Sequence, residues 1–185
     1  MSIRWHSINR SGINFIPASL LTCLRETGSL TKHLEQFCIG ELQLELISQS
    51  WKRPLQNEAN KLELRNGEYA LVREIYFKCK SVPWVYARSI IPRNTLRGAQ
   101  RRLAYLGTRS LGSYLFSERT TFRGNMEIAI IPKQDKLSDL ALHNASDKNE
   151  HLWGRRSVFY IKDKPLLVVE IFLPDVIKCI DTGNR

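Results

Sequence analysis

The sequence has no long apolar run. Its hydrophobic stretches fall well short of the roughly 20 residues that a helix needs to cross a bilayer. Residues 1–15 mix charged and polar side chains where a signal peptide would carry an apolar core. These absences predict a protein that stays in the cytoplasm and is not inserted in a membrane.

Cysteine is scarce and scattered. The sequence contains four cysteines, Cys23, Cys38, Cys79 and Cys179. They form no CxxC pair and stand in no Cys/His cluster with the spacing of metal ligands. We therefore expect reduced thiols, at least two of them buried, and no metal site.

Motifs for common enzyme chemistries are also missing. The chain has no glycine loop of the kind that binds phosphate and no nucleophile-elbow motif. Its four histidines and its serines therefore follow no pattern that would organise nucleophilic catalysis.

Acidic residues are few relative to basic ones. The sequence has 28 Lys and Arg against 18 Asp and Glu, a formal net charge of +10. Such a charge favours an anionic partner, which could be nucleic acid, membrane phosphate or a small polyanionic metabolite. Because no helix-turn-helix, zinc-finger spacing or aromatic RNA-binding pattern is present, we expect no nucleic-acid partner.

The patterns that are present favour an α+β fold. A chain of 185 residues with 43% hydrophobic residues can bury the core of one domain, residues 1–185. Helical periodicity begins at Pro17 and again near Ser29, and alternation begins at Glu41. Two antiparallel hairpins follow, over 69–91 and 156–173. This grouping predicts an antiparallel sheet with helices packed on it.

Three further elements are predicted between the hairpins. Asn94 is placed to cap a helix that Gly107 would end. Ser110 is placed to cap a second, shorter helix. A strand is expected from Thr120 to Ile131.

The remaining segments are predicted to be irregular. Polar composition favours a loop over 57–66. Residues 132–150 have only a brief apolar patch, which favours a flexible surface insertion or flap. Residues 175–185 are expected to form a poorly ordered tail.

Two charged residues stand on apolar strand faces. The strand period places Arg73 on the face of Leu71, Ile75 and Phe77, whereas Glu74 points the opposite way. Glu170 similarly shares a face with apolar neighbours in the run 166–173. An unpaired buried arginine costs several kcal/mol, so the fold must supply an acid, carbonyl oxygens or an anionic ligand.

Two explanations of these charges remain open at this level. Arg73 and Glu170 could form a structural ion pair or lie near a solvated edge. Alternatively, they belong to an apolar pocket that holds one fixed cation and one fixed acid. Arg88 would then be a second cation at the site or behind it. The backbone N–H of Leu111, at the start of the short helix, would offer an additional anion contact.

Six strings in the sequence resemble the chorismate pyruvate-lyase family, also called 4-hydroxybenzoate synthase. They lie at 29–32 (SLTK), 71–75 (LVREI), 87–92 (ARSIIP), 110–116 (SLGSYLF), 152–157 (LWGRRS) and 164–174 (KPLLVVEIFLP). Together they extend over most of the chain. The last two are the most specific, because both are long and they follow each other at short spacing.

The resemblance implies an activity and a set of partners. It implies an enclosed ligand site beneath helical flaps, without a metal or organic cofactor. The substrate would be chorismate, which loses its enolpyruvyl group as pyruvate and leaves 4-hydroxybenzoate, the ring precursor of ubiquinone. We expect a monomer whose partners are this substrate and product.

The resemblance also implies roles for individual residues. Arg73 matches the arginine that binds the ring carboxylate, and Leu111 matches a residue whose backbone joins it. Glu170 matches the acid near the ring hydroxyl, so Arg73 and Glu170 are the catalytic candidates. Leu30 stands where the family carries methionine, a volume-conserving change in a pocket wall.

A non-catalytic sensor is the alternative function. Effector-binding domains of some transcription regulators are similar in fold to this lyase family and bind small molecules. Such regulators carry a DNA-binding segment before the sensor domain. The first strand predicted here begins near residue 41, which leaves little chain for that segment.

Overall fold

The computed structural model describes residues 3–8, 16–143 and 151–183. An antiparallel sheet forms its centre, in the order β1-β6-β7-β8-β4-β3-β2, with β5 also paired to β7. The strands are β1 His6–Ser7, β2 Leu42–Lys52, β3 Ala70–Cys79, β4 Val82–Pro92, β5 Thr121–Arg123, β6 Glu127–Ile131, β7 Leu152–Ile161 and β8 Lys164–Phe172.

Short helices surround the sheet. They are α1 Ala18–Arg25, α2 Leu30–Glu35, α3 Gln56–Lys61, a 3-10 helix Gly98–Tyr105, α4 Leu111–Ser117, α5 Lys136–Ala141 and α6 Pro174–Gly183. Side-chain caps fix the starts of α2 and α4, where Ser29 and Ser110 accept hydrogen bonds from the backbone N–H three residues later. Within the described ranges, no helix is long and apolar enough to cross a membrane.

Both predicted hairpins are confirmed. β3 pairs with β4 and β7 pairs with β8 along nearly their full lengths. Each is closed by two residues with positive φ, Lys80 and Ser81 in the first and Lys162 and Asp163 in the second. This conformation matches the twist of antiparallel strands, which explains why the turns are so tight. The predicted α+β fold with an antiparallel sheet is therefore correct.

Helices cover both faces of the sheet. On one face, α1, α2 and α6 pack around Ile75 and Phe77, while α4 and the 3-10 helix pack around Leu71 and Ile91. On the opposite face, α5 packs into a cluster that includes Tyr76, with further members from β4, β7 and β8. The first face is thus divided between two apolar clusters, and Arg73 lies between them along β3.

Several predicted irregular segments are helical. The expected loop over 57–66 contains α3, whose entry Glu58 stabilises by accepting a hydrogen bond from the Leu55 N–H at 2.8 Å. The prediction failed because Glu58 is polar yet buried. Its charge is matched by a partner elsewhere in the sequence, which composition cannot reveal.

The predicted insertion and tail are also ordered where they are described. In α5, Leu137 and Ala141 are buried in the core, and Asp135 caps the helix by accepting from the Leu137 N–H. Residues 144–150 of the predicted insertion lie outside the described residues. The predicted tail forms α6, because Val176 and Ile180 share one helical face and pack against the sheet.

Two other element predictions need correction. The helix expected after Asn94 is a 3-10 helix that begins only at Gly98, whose φ of 62° is left-handed and stops an α-helix from running through it. The strand expected from Thr120 to Ile131 is divided into β5 and β6. Between them, Gly124 bonds to the Val158 carbonyl at 2.8 Å.

The prediction that all four cysteines are reduced thiols is wrong for one pair. Cys38, just after α2, forms a disulfide with Cys79 at the end of β3, with Cα atoms 5.8 Å apart. Cys23 and Cys179 are not disulfide-bonded. The pair is 41 residues apart in sequence and meets only because α2 folds back over the end of the sheet. Burial of at least two cysteines is confirmed.

A buried charge cluster stabilises the face opposite Arg73. Arg88 lies between two acids, with its Nε 2.7 Å from Glu58 Oε1 and its Nη1 2.6 Å from Glu74 Oε1. Burial would raise the pKa of Glu74, but hydrogen bonds from Lys52 and other donors, together with the Arg88 charge, lower it to about 2. Glu74 therefore stays ionised and compensates the cations around it.

Replacing Glu74 with glutamine leaves the charges of Arg88 and Lys52 incompletely compensated. We expect Glu74→Gln to lower the free energy of unfolding at pH 7 by about 3 kcal/mol, measured by urea denaturation. Because the folded-state pKa lies below the unfolded value of 4.5, this stabilisation is present above pH 4.5 and is lost as the pH falls toward 2. The difference from wild type should shrink over that window.

Glu45→Gln is the matched control, because Glu45 pairs with Lys78 at the surface. This variant should change the free energy of unfolding by less than about 0.5 kcal/mol. Equal losses in the two variants would show that burial gives the Glu74 cluster no special weight.

The disulfide should contribute to stability by constraining the unfolded chain. For a sequence separation of 41, the chain-entropy treatment gives about 4 kcal/mol. A reductant should lower the free energy of unfolding of the wild type by about that amount. It should leave a Cys38→Ala, Cys79→Ala double variant unchanged, and an equal effect on both proteins would contradict the prediction.

Candidate active site

A cavity opens on the sheet face that carries Arg73. The space between protein atoms there is about 550 Å³, a volume that includes open solvent at its mouth. Its floor is formed by β3, β4, β7 and β8, and its walls by the segment from Gly28 to Thr31 and by α4. Most of its side chains are apolar; they include Leu30, Ile75, Phe77, Ala87, Leu111, Leu115, Phe116, Phe159 and Val168.

Arg73 is a buried cation in this cavity, and no acid among the described residues pairs with it. Its side chain is almost completely excluded from solvent. Nη2 donates to the carbonyls of Gly107 and Arg109, each at 2.9 Å, whereas Nε has no hydrogen-bond partner among the described residues. Burial lowers the pKa of Arg73 to about 10, which still leaves it protonated at neutral pH. One side of the guanidinium is therefore available to a ligand.

The ion pair between Arg73 and Glu170 does not form. Glu170 instead accepts a hydrogen bond from Arg155 Nε at 2.5 Å. Arg73 lies opposite Ser89 on β4, and Ser89 lies opposite Val168 on β8, so Arg73 and Glu170 are two strands apart. Two strand spacings correspond to roughly 10 Å. A small ring can lie between the two residues.

Leu111 and Leu30 both line the cavity, on different walls. Leu111 is the first residue of α4, so its N–H has no partner within the helix, and its side chain is part of the cavity wall. Leu30 begins α2 and closes the cavity from the other side. The carbonyls that Arg73 binds, at Gly107 and Arg109, come just before α4.

The prediction that Arg88 supplies a second cation to this site is wrong. Arg88 does not line the cavity, and its guanidinium is occupied by Glu58 and Glu74. The strand period explains the error. Arg88 is adjacent to Ala87 and Ser89, both of which face the cavity, so it points to the other side of the sheet.

Two arginines of the cavity were not predicted. Arg155, in the LWGRRS strand, holds Glu170 and also donates from Nη1 to the carbonyls of Cys23 and Glu26 at 2.7 Å. Its position could have been found from alternation along β7, because it shares a face with Ser157 and Phe159.

Arg123 is the other unpredicted arginine. Its Nε donates to Ser157 Oγ at 3.0 Å and its Nη1 to the Thr27 carbonyl at 2.9 Å. Burial and then the charge of Arg155 lower its pKa. The three-residue strand β5 is too short to give a period, so the sequence carried no signal for this residue.

The polar groups of the cavity suit an organic anion. Three arginines and one glutamate face it, and one of the arginines is neutralised by that glutamate. Across the described parts of the chain, no group of three or more His, Cys, Asp or Glu side chains is placed to hold a metal ion.

Known proteins similar in sequence are lyases by name. A family model described as "Chorismate lyase" matches residues 3–179. A "Probable chorismate pyruvate-lyase" of Methylococcus capsulatus is 41% identical over 152 residues, which cover 82% of this chain and 93% of that protein. A protein of the same name from Pseudomonas aeruginosa is 34% identical, covering 89% of this chain and 88% of the relative.

Solved structures share the fold at low sequence identity. PhnF from Mycobacterium smegmatis has a TM-score of 0.56 and 16% identity, covering 82% of this chain and 66% of its own. A GntR-family transcriptional regulator from Bacillus cereus has a TM-score of 0.51 and 16% identity, covering 74% of this chain and 94% of its own. At such identities the similarity concerns the fold alone.

Double-mutant cycles test the pairing described above. Arg155→Met and Glu170→Gln should be coupled by about 3 kcal/mol in the free energy of unfolding, because the two side chains are bonded and largely buried. Arg73→Met and Glu170→Gln form the control cycle, with an expected coupling below about 0.5 kcal/mol. Strong coupling in the control cycle would restore the ion pair of Arg73 with Glu170.

Proposed function

The chain belongs to the chorismate lyase family, and on this premise we propose that it is a chorismate pyruvate-lyase, a carbon–oxygen lyase that converts chorismate to 4-hydroxybenzoate and pyruvate. The observation that carries the proposal is Arg73, a buried cation without an acid in an apolar cavity. An anionic ring of matching length supplies the missing charge. Roles for individual residues follow from the same geometry.

Arg73 binds the ring carboxylate in this proposal. Its planar guanidinium can hold both carboxylate oxygens, and its bonds to two carbonyls fix its orientation before the ligand arrives. The N–H of Leu111 adds a donor from the start of α4. Binding therefore satisfies the Nε of Arg73, which is otherwise buried without a partner.

Glu170 binds the ring hydroxyl at the other end of the cavity. Arg155 keeps its carboxylate in place, so the hydroxyl meets a fixed acceptor. The distance between Arg73 and Glu170 then sets the orientation of the ring. Apolar side chains of the wall, among them Leu30 and Phe159, exclude water from its faces.

The reaction requires the protein to position its substrate more than to form covalent bonds with it. The ether C–O bond breaks and its electrons pass to the enolpyruvyl oxygen, while the ring loses one hydrogen and becomes aromatic. The enolpyruvyl group takes up a proton at its methylene carbon and becomes pyruvate. Atoms and electrons balance without an oxidant or reductant, so we propose that no metal or organic cofactor takes part. Arg73 and Glu170 contribute by holding the reacting ring in one orientation.

We also propose a use for the product and a setting for the enzyme. 4-Hydroxybenzoate is the ring precursor of ubiquinone, and we propose this use for it. We also propose that the enzyme acts as a monomer in the cytoplasm. The net charge of +10 suits a dianionic substrate, because a basic surface raises its encounter rate.

The alternative function is a small-molecule sensor, which the structural neighbours suggest. One of them is the ligand-binding domain of a putative GntR-family regulator from Bordetella bronchiseptica, at 17% identity and a TM-score of 0.50. The named relatives in sequence are lyases, which favours the enzyme. A sensor would bind chorismate tightly and leave it unchanged.

The proposal predicts that purified protein converts chorismate without added metal or cofactor, releasing pyruvate and 4-hydroxybenzoate in equal amounts. Arg73→Ala should lower kcat/KM by about a thousand-fold, because the ring carboxylate loses its charged partner. Arg119→Gln, which removes an exposed arginine, is the control and should stay near the wild-type rate. Near-normal turnover by Arg73→Ala would overturn the role of Arg73, and binding without turnover by the wild type would favour the sensor.

A further inference from the structure

The proposed substrate has a second carboxylate that is not yet assigned a partner. Chorismate carries one carboxylate on the ring and another on the enolpyruvyl group. Arg73 accounts for the first. Apart from its charged residues, the cavity wall offers the second only apolar side chains and neutral hydroxyls, so its charge must be either compensated or left in contact with water.

Besides Arg73, Arg123 is a cation of the cavity that forms no ion pair within the described part of the chain. Arg155 also faces the cavity, but its charge is matched by Glu170. Arg123 forms no ion pair with a described acid, and its hydrogen bonds go to the Ser157 hydroxyl and to backbone carbonyls before α2. Its Nη2 donates to no described residue. It therefore keeps both charge and donors for a ligand.

The sheet places Arg123 on the opposite side of the cavity from Arg73. Arg123 on β5 pairs with Phe159 on β7, and β8 and β4 separate β7 from β3. Three strand spacings from β7 to β3 correspond to roughly 14 Å. Arg123 reaches Ser157, which lies in the same row across the sheet as Arg73, and Glu170 lies between them across the strands but two residues further along β8. The guanidinium of Arg123 also lies over the Phe159 ring, 5.1 Å from its centroid, and this contact restricts its orientation.

This order along the cavity matches the order of polar groups on the substrate. With the ring carboxylate on Arg73 and the hydroxyl on Glu170, the ether oxygen stands on the carbon next to the hydroxyl. The enolpyruvyl group then leaves the side of the ring next to Glu170, from the carbon meta to the one that carries the ring carboxylate. Its carboxylate comes to the side of the cavity where Arg123 lies.

We propose that Arg123 binds the enolpyruvyl carboxylate and thereby distinguishes the dianionic substrate from the monoanionic ring product. The proposal rests on the proposed function, because it assumes that chorismate occupies the cavity. It gives Arg123 a specificity role that neither Arg73 nor Glu170 can fill. After the ether bond breaks, this carboxylate leaves with pyruvate, and 4-hydroxybenzoate keeps only its contacts at the Arg73 end.

Arg123→Gln tests the proposal by its separate effects on kcat/KM for chorismate and on the Kd for 4-hydroxybenzoate. Loss of one charge-assisted contact should lower kcat/KM for chorismate by roughly 10- to 100-fold. The Kd for 4-hydroxybenzoate, which lacks the second carboxylate, should stay within about 2-fold of the wild type. Arg123→Lys keeps the charge without the planar fork, so its kcat/KM for chorismate should fall between those of the wild type and Arg123→Gln. Arg119→Gln makes the same change of net charge four residues earlier at the surface and should leave both values unchanged.

The outcomes separate a ligand contact from a structural role. Arg123 also connects the segment before α2 to β7. If its role were purely structural, Arg123→Gln and Arg123→Lys would each weaken the binding of chorismate and of 4-hydroxybenzoate by the same factor. That result would overturn the proposal. If the wild type binds chorismate without converting it, the proposed function fails. The ratio of equilibrium Kd values for chorismate and 4-hydroxybenzoate then still decides the role of Arg123.

Discussion

The buried guanidinium of Arg73 lacks an acidic partner, and the arrangement around it follows from that condition. A cation in an apolar setting must be compensated, and here two carbonyls between the 3-10 helix and α4 satisfy one nitrogen while another is left to a ligand. The same two bonds hold the segment that leads into α4, so the anion site and the wall that covers it are adjacent in the chain.

Buried charges are compensated in different ways on the two faces of the sheet. Behind the cavity, Arg88 is matched by Glu58 and Glu74, and those charges stabilise the fold. On the cavity face, Arg155 is matched by an acid, while the partners that Arg73 and Arg123 have in the described parts of the chain are neutral oxygens. Neutral acceptors fix an arginine in place without cancelling its charge. A site that must bind an anion therefore carries part of its electrostatic cost in the free protein.

Much of the site could be predicted because it lies on long, regular strands. Period-two alternation placed Arg73 and Glu170 on the apolar face that forms the cavity floor. The start of the short helix pointed to the N–H of Leu111, and the resemblance added Leu30 as a pocket wall. The same alternation places Arg88 on the other side of the sheet, so the expectation that it adds a second cation to the site was wrong. Arg123 could not be found, because β5 has three residues and shows no period. Polar segments such as the one containing Glu58 were predicted as loops, because their partners come from distant strands.

The sequence by itself determined the strand faces, the two hairpins and the family, because each depends on the local order of residues. Tertiary structure alone decided which charges meet. Glu170 pairs with Arg155 rather than Arg73, and Cys38 meets Cys79, because register and helix packing bring distant segments within bonding distance. A charged residue on an apolar strand face indicates only that the residue requires a partner. Whether that partner is an acid, a carbonyl or a ligand depends on what the folded chain brings next to it.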